Sequence, residues 1–166
     1  MKVYHGSLHQ VDNPEIALGR PSTDFGEGFY TTTNFEQAKR WAIKKQKAAK
    51  DGSKAIVNTY EVDDNLLNNP KYNIKKFDSP NEDWLSFVVS CRRSIPHRYD
   101  IVFGAVANDR IYTTITLYEA QILTAEETVA RLKVDEYFNQ ISFHIQIAVD
   151  ELEFIKAEEV TDYDKD

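Results

Sequence analysis

A pair of glycines leads directly into a strand-forming run, and this segment constrains the fold more than any other. Gly26 and Gly28 flank Glu27, and the chain continues as Phe-Tyr-Thr-Thr-Thr over residues 29–33. Aromatic and β-branched residues favour a β-strand. A Rossmann-type dinucleotide fold instead needs its glycine-rich turn to open a helix, whose N-terminus then holds the phosphates. The segment therefore excludes a phosphate cradle of that kind.

The rest of the chain alternates short strands and short helices without a regular βαβ rhythm. The residue pattern predicts strands at 2–5, 29–33, 54–62, 72–77, 99–106, 140–145 and near Phe154, and helices at 35–50, from Ser79-Pro80 onward, at 111–118, 125–133 and 147–152. Asn34 suits the N-cap of the first helix, and Thr124 with Glu127 matches a capping box. Between residues 111 and 118 the β-branched residues leave a strand as the alternative. These elements indicate an α+β domain.

Length and cysteine content predict one folded domain. The 166 residues are 42% hydrophobic and 12% aromatic, which suffices for one core but not for a second full domain. We expect this domain to span residues 1–156 and an acidic tail to occupy 157–166. Cys91 is the single cysteine, so an intrachain disulfide and a multi-cysteine metal site are excluded. We expect no metal, and we expect Cys91 inside a helix-packed core.

Charge and hydropathy give expectations about partners and location. The formal net charge of −7 opposes non-specific nucleic-acid binding. Residues 39–50 nevertheless carry six basic side chains and no acidic one, either as a solvated helix face or as an edge that faces phosphate or RNA. The first residues form no apolar leader, and no run approaches the roughly 18 apolar residues of a membrane span. We expect a soluble, cytoplasmic protein.

Three separated segments together resemble one nicotinamide-dinucleotide site. His5-Gly6-Ser7 resembles the His-Gly-Ser strand of the poly(ADP-ribose) polymerase and diphtheria-toxin group of ADP-ribosyltransferases. The segment 25–30, with Trp41 eleven residues after Tyr30, resembles the Phe-Gly-Lys-Gly-Ile-Tyr-Phe strand of that group and its second aromatic residue. Asn139-Gln140 opens an apolar strand that resembles the third motif, with Gln140 where the family usually has a catalytic glutamate.

The resemblance implies a fold, a substrate and a set of site residues. The fold would be the ADP-ribosyltransferase fold, a split antiparallel β-sandwich with short surrounding helices, and the substrate NAD+. By analogy with the family, Gly6 would bond the nicotinamide carboxamide, and Tyr30 and Trp41 would sandwich the ring. His5 would bond the adenine-side ribose, and Ser7 would add a bond nearby. The implied catalytic residues are His5, Tyr30 and Gln140, and the implied NAD+-binding residues are His5, Gly6, Ser7, Gly28, Tyr30 and Trp41.

Two departures from the family pattern bear on activity. Ala38 stands where the polymerases have a serine that bonds the carboxamide. Gln140 can accept a hydrogen bond from the ribose 2′-hydroxyl through its amide oxygen, but an amide is no general base. This favours a single transfer over polymer growth. The nearby carboxylates Asp24 and Glu136 are candidates to deprotonate an acceptor, although Asp24 could equally cap its own loop.

The resemblance implies a stand-alone, bacterial-type mono-ADP-ribosyltransferase that releases nicotinamide and modifies a protein or nucleic-acid acceptor. Small free domains of this kind often act as toxins in toxin–antitoxin or phage-defence pairs, so an antitoxin protein is an expected partner. Two alternatives stay open. One is a catalytically silent NAD+ or ADP-ribose binding module, which Gln140 and Ala38 favour. The other is an NAD+ glycohydrolase with water as the acceptor. RNA 2′-phosphate transfer would need basic catalytic side chains that these strand positions lack.

Overall fold

The computed structural model describes residues 1–16, 23–107, 109–132 and 138–162, without the side chains of residues 109 and 110. It has the α+β composition that the sequence predicts. The strands are β1 (Lys2–Ser7), β2 (Phe29–Thr32), β3 (Ala55–Glu61), β4 (Ile74–Lys76), β5 (Ile101–Ala105), β6 (Asn139–Phe143) and β7 (Glu153–Val160). The helices are α1 (Phe35–Ala49), α2 (Glu82–Arg92), α3 (Asp109–Glu119), α4 (Ala125–Leu132) and α5 (Gln146–Val149), with a 3₁₀ turn at Leu66–Asn68.

The strands form one mixed sheet in the order β4-β5-β6-β2-β1-β3-β7. Every neighbouring pair is antiparallel except β4 and β5, which are parallel. The expectation of a wholly antiparallel arrangement is therefore wrong at the β4 edge. The connection from β4 to β5 contains α2, and such a long crossover returns the chain in its original direction.

The two faces of the sheet are covered differently. Loops, the 3₁₀ turn and α5 pack on one face, which carries Val3, Phe29, Tyr60, Ile101, Ile141 and Phe143. On the other face, α1 covers the β1–β3 half, and α2, α3 and α4 cover the half that contains β5. We call this second side the helix face. A site on the helix face between α1 and the other helices is lined by the central strands β1, β2 and β6.

Local signals fix most helix boundaries. Asn34 caps α1, because its side-chain oxygen accepts from the Gln37 main-chain amide at 3.0 Å. Thr124 and Glu127 form the predicted reciprocal capping box of α4, with bonds of 3.1 and 2.9 Å. The segment 111–118 is helical, as predicted. Helix α2 begins later than expected, because Asn81 caps it by accepting from the Trp84 amide at 2.9 Å.

The chain end differs from the predicted acidic tail. Strand β7 continues to Val160 and pairs with β3 from Glu153 to Val160, with one β-bulge. Residues 157–160 therefore belong to the sheet, and Val160 is buried beside the residues that α1 packs against β3.

Among the described residues, no helix is both long and apolar enough to cross a membrane. Cys91 is buried on α2, as predicted.

Candidate functional site

The three motif segments lie on three adjacent strands. Strand β2 pairs with β6 so that Tyr30 lies opposite Ser142 and Thr32 lies opposite Gln140. Side chains alternate between the faces of a strand, so Tyr30 and Gln140 share the helix face. Gly6 of β1 lies on the same face, where α1 packs against it. Segments that are more than a hundred residues apart in the chain thus meet at the centre of the sheet.

The backbone pairing between β1 and β2 is the shortest in the sheet. These strands pair only at Tyr4 and Thr32. A continued antiparallel ladder would place Gly6 opposite Tyr30, but the Tyr30 carbonyl oxygen accepts instead from the His5 ring, with 2.6 Å from Nδ1 to the oxygen. A side chain thus replaces a main-chain partner, and the ladder stops beside Gly6.

Gly6 lets α1 approach β1 main chain to main chain. A Cβ atom at this position would lie 2.1 Å from the Ala38 carbonyl oxygen and 2.7 Å from the Ala42 nitrogen. The same atom would lie 3.0 Å from the Cβ of Trp41, so the half-buried tryptophan begins beside Gly6. The Gly6 carbonyl accepts from Lys45 Nζ at 2.6 Å. The basic run therefore sends one of its side chains into the site.

His5 is a neutral hydrogen-bond acceptor at physiological pH. A carbonyl only accepts, so Nδ1 carries the proton that bonds the Tyr30 oxygen, and Nε2 holds the lone pair. Burial, followed by the charge of Lys45, lowers the pKa of His5 to about 3. The imidazole lies on the face away from Tyr30, where it stacks on Phe29 at 4.3 Å between ring centroids. The His5 ring therefore lies on the opposite face of the sheet from the side chains of Tyr30 and Gln140.

Tyr30 anchors the loop that precedes β2. Its hydroxyl donates to the Gly26 carbonyl oxygen at 2.6 Å and accepts from the Phe25 amide at 3.0 Å. It also lies 2.8 Å from Thr23 Oγ1. Burial raises the pKa of the Tyr30 phenol far above its ordinary value. The hydroxyl is thus committed to the loop, and the ring is what Tyr30 can offer a ligand.

Ser7 and Gly28 have structural roles that the resemblance did not suggest. Ser7 is buried, its hydroxyl donates to the His9 carbonyl oxygen, and it accepts from Asn58 Nδ2 at 3.0 Å. A Cβ atom on Gly28 would lie 2.6 Å from the Phe143 carbonyl oxygen. The first residue holds a turn and the second allows a close approach to β6. Their roles in NAD+ binding stay predictions.

Gln140 is paired with a carboxylate. Its Nε2 donates to Asp24 Oδ2 at 2.9 Å and to the Ala105 carbonyl oxygen at 3.3 Å. Asp24 also accepts from the Ala107 amide at 3.0 Å, and burial raises the pKa of this aspartate. A glutamate at position 140 would set its carboxylate against a carbonyl oxygen and a second carboxylate. This arrangement accounts for glutamine at a position where a donor is required.

A family model described as "Protein of unknown function (DUF3990)" matches residues 1–154, which is most of the chain. The chain belongs to the DUF3990 family. No curated protein and no solved structure matches it significantly.

Two histidines that match no motif hold the loop before β2 in this DUF3990 chain. We call this loop, which contains Gly26 and Gly28, the glycine loop. His97 Nε2 donates to the Phe25 carbonyl oxygen at 2.7 Å, and His144 Nδ1 donates to the Glu27 carbonyl oxygen, also at 2.7 Å. Their rings meet edge to face, 4.6 Å apart. Burial lowers the pKa of His144 to about 4. Neither histidine occupies a motif position in the sequence, and only the fold brings them to the glycine loop.

The remaining predicted features are placed as follows. Trp41 lies beside Gly6 and Tyr30 lies on β2, but a ring sandwich stays a prediction because it requires the ligand. Glu136 lies outside the described residues.

In the basic run, four side chains are exposed to solvent: Arg40, Lys44, Lys47 and Lys50. A cavity of about 250 Å³ lies elsewhere, near Asp12, Glu15 and Asp150, and within the described ranges no group of acidic, histidine or cysteine residues is arranged to hold a metal.

Proposed function

We propose that this chain is an NAD+-dependent mono-ADP-ribosyltransferase. One observation carries the proposal: the three motif segments meet on adjacent strands, with Tyr30 and Gln140 on the face that α1 covers at Gly6. The resemblance depends only on residue types and their spacing, so the pairing of the three strands is an independent observation. Their convergence supports one binding site rather than three unrelated motifs.

The sheet also supports the finer assignment of the ADP-ribosyltransferase fold. A single paired position joins the half made of β4, β5, β6 and β2 to the half made of β1, β3 and β7. A sheet joined so narrowly is close to two sheets that separate along one line. We propose that NAD+ binds along this line, where Gly6 and Tyr30 fail to pair.

Each proposed contact uses an atom that has hydrogen-bonding capacity left. The Gly6 carbonyl has a second lone pair beyond the one that accepts from Lys45, and it can accept from the carboxamide. His5 Nε2 can accept from a ribose hydroxyl. Tyr30 and Trp41 offer flat faces to the cationic pyridinium, each worth about 1 kcal/mol.

The proposed reaction breaks the bond between nicotinamide and its ribose. The bonding electron pair leaves with the neutral nicotinamide, and the sugar becomes cation-like, as in glycoside hydrolysis. Gln140 Oε1 accepts from the 2′-hydroxyl and stabilises this charge. The acceptor then bonds the ribose carbon that nicotinamide has left, and its proton passes to solvent water. Position 140 carries an amide, which accepts hydrogen bonds weakly and cannot take up a proton from an incoming hydroxyl. Both properties favour a single transfer.

A silent binding module is the second candidate. Lys45 already bonds the Gly6 carbonyl, and Ala38 offers no hydroxyl to the carboxamide. Both features weaken nicotinamide recognition relative to the polymerases. This candidate keeps NAD+ or ADP-ribose binding and predicts no cleavage.

Labelled NAD+ tests the proposal. The purified chain is incubated with adenine-labelled NAD+ and cell extract, and free nicotinamide and label in protein, RNA and DNA are measured. We expect nicotinamide release and macromolecular label. Gln140→Ala should lower the release rate about 100-fold, the typical loss when one charge-stabilising contact is removed. Gln121→Ala, at an exposed glutamine after α3, is the matched control and should keep the full rate.

The outcomes separate the candidates. Release without macromolecular label selects NAD+ hydrolysis, and binding without release selects the silent module. Equal rates in the wild type and Gln140→Ala would remove Gln140 from the mechanism. The proposal includes a toxin role countered by an antitoxin protein, so expression should arrest growth for the wild type but not for Gln140→Ala.

A further inference from the structure

The side chain of Asp24 connects three elements at the edge of the proposed site. It lies in the loop before β2, and its Oδ2 accepts from the Gln140 side chain at 2.9 Å and from the Ala107 amide at 3.0 Å. The aspartate and Gln140 are 116 residues apart in the chain.

The partners of Gln140 determine which way its amide faces. Ala105 presents a carbonyl oxygen, which can only accept, so the nitrogen of the amide must face it. Asp24 Oδ2 takes the second N–H. The two bonds use both protons of Nε2 and turn Oε1 away from them. Within the described part of the chain, no hydrogen bond to Oε1 is present.

We propose that Asp24 is a positioning residue that fixes and polarises the Gln140 amide. An aspartate and an amide together would then replace the catalytic glutamate of the ADP-ribosyltransferases. This inference rests on the proposed function. A hydrogen bond to a carboxylate is stronger than one to a neutral acceptor. It draws the N–H proton toward Asp24 and increases the negative charge on Oε1, because bonded groups in sequence polarise one another. Oε1 then accepts more strongly from the ribose 2′-hydroxyl as the sugar becomes cationic.

Three titratable or charged side chains lie close enough to Asp24 to affect its ionisation. Tyr30 of β2 and Cys91 and Arg92 of α2 interact with it electrostatically. Burial raises the pKa of the Tyr30 phenol far above its usual value and that of the Cys91 thiol to about 11, so both stay neutral. The positive charge of Arg92 favours the ionised form of Asp24. Burial also raises the pKa of Asp24, so this carboxyl ionises at a higher pH than an exposed aspartate does.

A purely structural aspartate would behave differently. In that case Asp24 would only hold its loop to the Ala107 amide, and its loss would change stability without changing the pH dependence of the reaction. Asp100 provides the comparison, because its Oδ2 accepts from the Asn73 amide at 2.8 Å and so also holds a loop. Asp100→Asn is therefore the matched control.

The experiment is a double-mutant cycle on nicotinamide release. The wild type, Asp24→Asn, Gln140→Ala, the double variant and Asp100→Asn are assayed with NAD+ between about pH 5 and pH 9, with NAD+ affinity and urea stability measured in parallel. We expect Asp24→Asn to lower the rate of nicotinamide release about tenfold or more with little change in NAD+ affinity. Loss of a residue that only orients a catalytic group has an effect of this size. The rise of the rate with pH should flatten in Asp24→Asn and persist in Asp100→Asn. In the Gln140→Ala background, Asp24→Asn should cause no further loss.

Several outcomes would overturn the inference. A full rate in Asp24→Asn, an unchanged pH profile, or the same fractional loss with and without Gln140 would each show that Asp24 does not act through Gln140. Those results leave the proposed function standing. A wild type that releases no nicotinamide would contradict both the role of Asp24 and the proposed function. If Asp24→Asn fails to fold, the wild-type profile decides: the rise with pH must be present there and absent from the residual activity of Gln140→Ala.

Discussion

Gly6 shows how one residue can serve a motif and a packing contact at once. The family resemblance assigns it to a ligand, yet the structure gives a reason that needs none. An added Cβ would lie 2.1 Å from the Ala38 carbonyl oxygen, which no side-chain movement can relieve because the clash is with main chain. Gly52 is the opposite case, with open space around it and a φ of +80°.

At this scale we predict that Gly6→Ala is far more destabilising than Gly52→Ala. The first change must push α1 away from β1, and overpacking of this kind costs about 3 kcal/mol. The second adds no clash and costs about 1 kcal/mol through its left-handed conformation. Urea unfolding measures both. Equal losses would contradict the close approach at Gly6.

Helix α1 brings Trp41 and Lys45 to the site, and its start is fixed by a short chain of polar contacts. Asn34 accepts from the Gln37 amide at 3.0 Å, while the Asn34 amide donates to Thr32 Oγ1 at 3.1 Å. Thr32 in turn donates to the Asn139 carbonyl oxygen at 2.7 Å. The helix start is thus tied to the two strands that carry Tyr30 and Gln140.

At the scale of the element we predict that Asn34→Ala lowers the free energy of unfolding by about 1 kcal/mol, because the Gln37 amide loses its cap. Asn34→Asp keeps the acceptor and should stay within a few tenths of the wild type, since asparagine and aspartate cap equally well. Urea unfolding at neutral pH measures both variants. A loss in Asn34→Asp as large as that in Asn34→Ala would show that the acceptor is not what matters.

Across the whole molecule, two neutral histidines hold main-chain carbonyl groups at and before β2, His5 at Tyr30 and His144 at Glu27. Burial holds the pKa of His5 at about 3 and that of His144 at about 4, both below the 6.5 of an exposed histidine. The folded state therefore binds these protons more weakly than the unfolded state. Their contribution is complete above about pH 6.5 and is lost as the pH falls toward the folded-state values. Asp24 acts in the opposite direction, because its raised pKa favours folding as it becomes protonated.

We therefore predict a fall in stability between neutral pH and pH 4.5. Each pKa unit is worth about 1.4 kcal/mol, so His144, with its pKa of about 4, contributes a loss on the order of 3 kcal/mol over this range. His144→Asn keeps a donor for the Glu27 carbonyl oxygen but cannot titrate, and it should show a shallower fall. Urea unfolding at stepped pH measures the slopes. Identical slopes in the wild type and His144→Asn would contradict this account.

Local patterns in the sequence were sufficient for most elements. The caps at Asn34 and Thr124, and the apolar spacing of Ile111 and Ile115, each depend on residues within a few positions of one another, and the structure confirms all three. The order of elements and the α+β class follow from such patterns. The start of α2 was misplaced because proline and asparagine both suit helix starts, and the observed cap is Asn81.

The sequence by itself determined the elements, their order, the single buried cysteine and the segments worth comparing with a known family. Only the tertiary structure decided that β4 and β5 run parallel, that β7 continues into the expected tail, and that Asp24 meets Gln140. The physical reason is range: periodicity and capping act over one or two turns, whereas these contacts depend on the register of strands far apart in the chain. Which carboxylate lies beside an amide is a property of that register, and no local pattern encodes it.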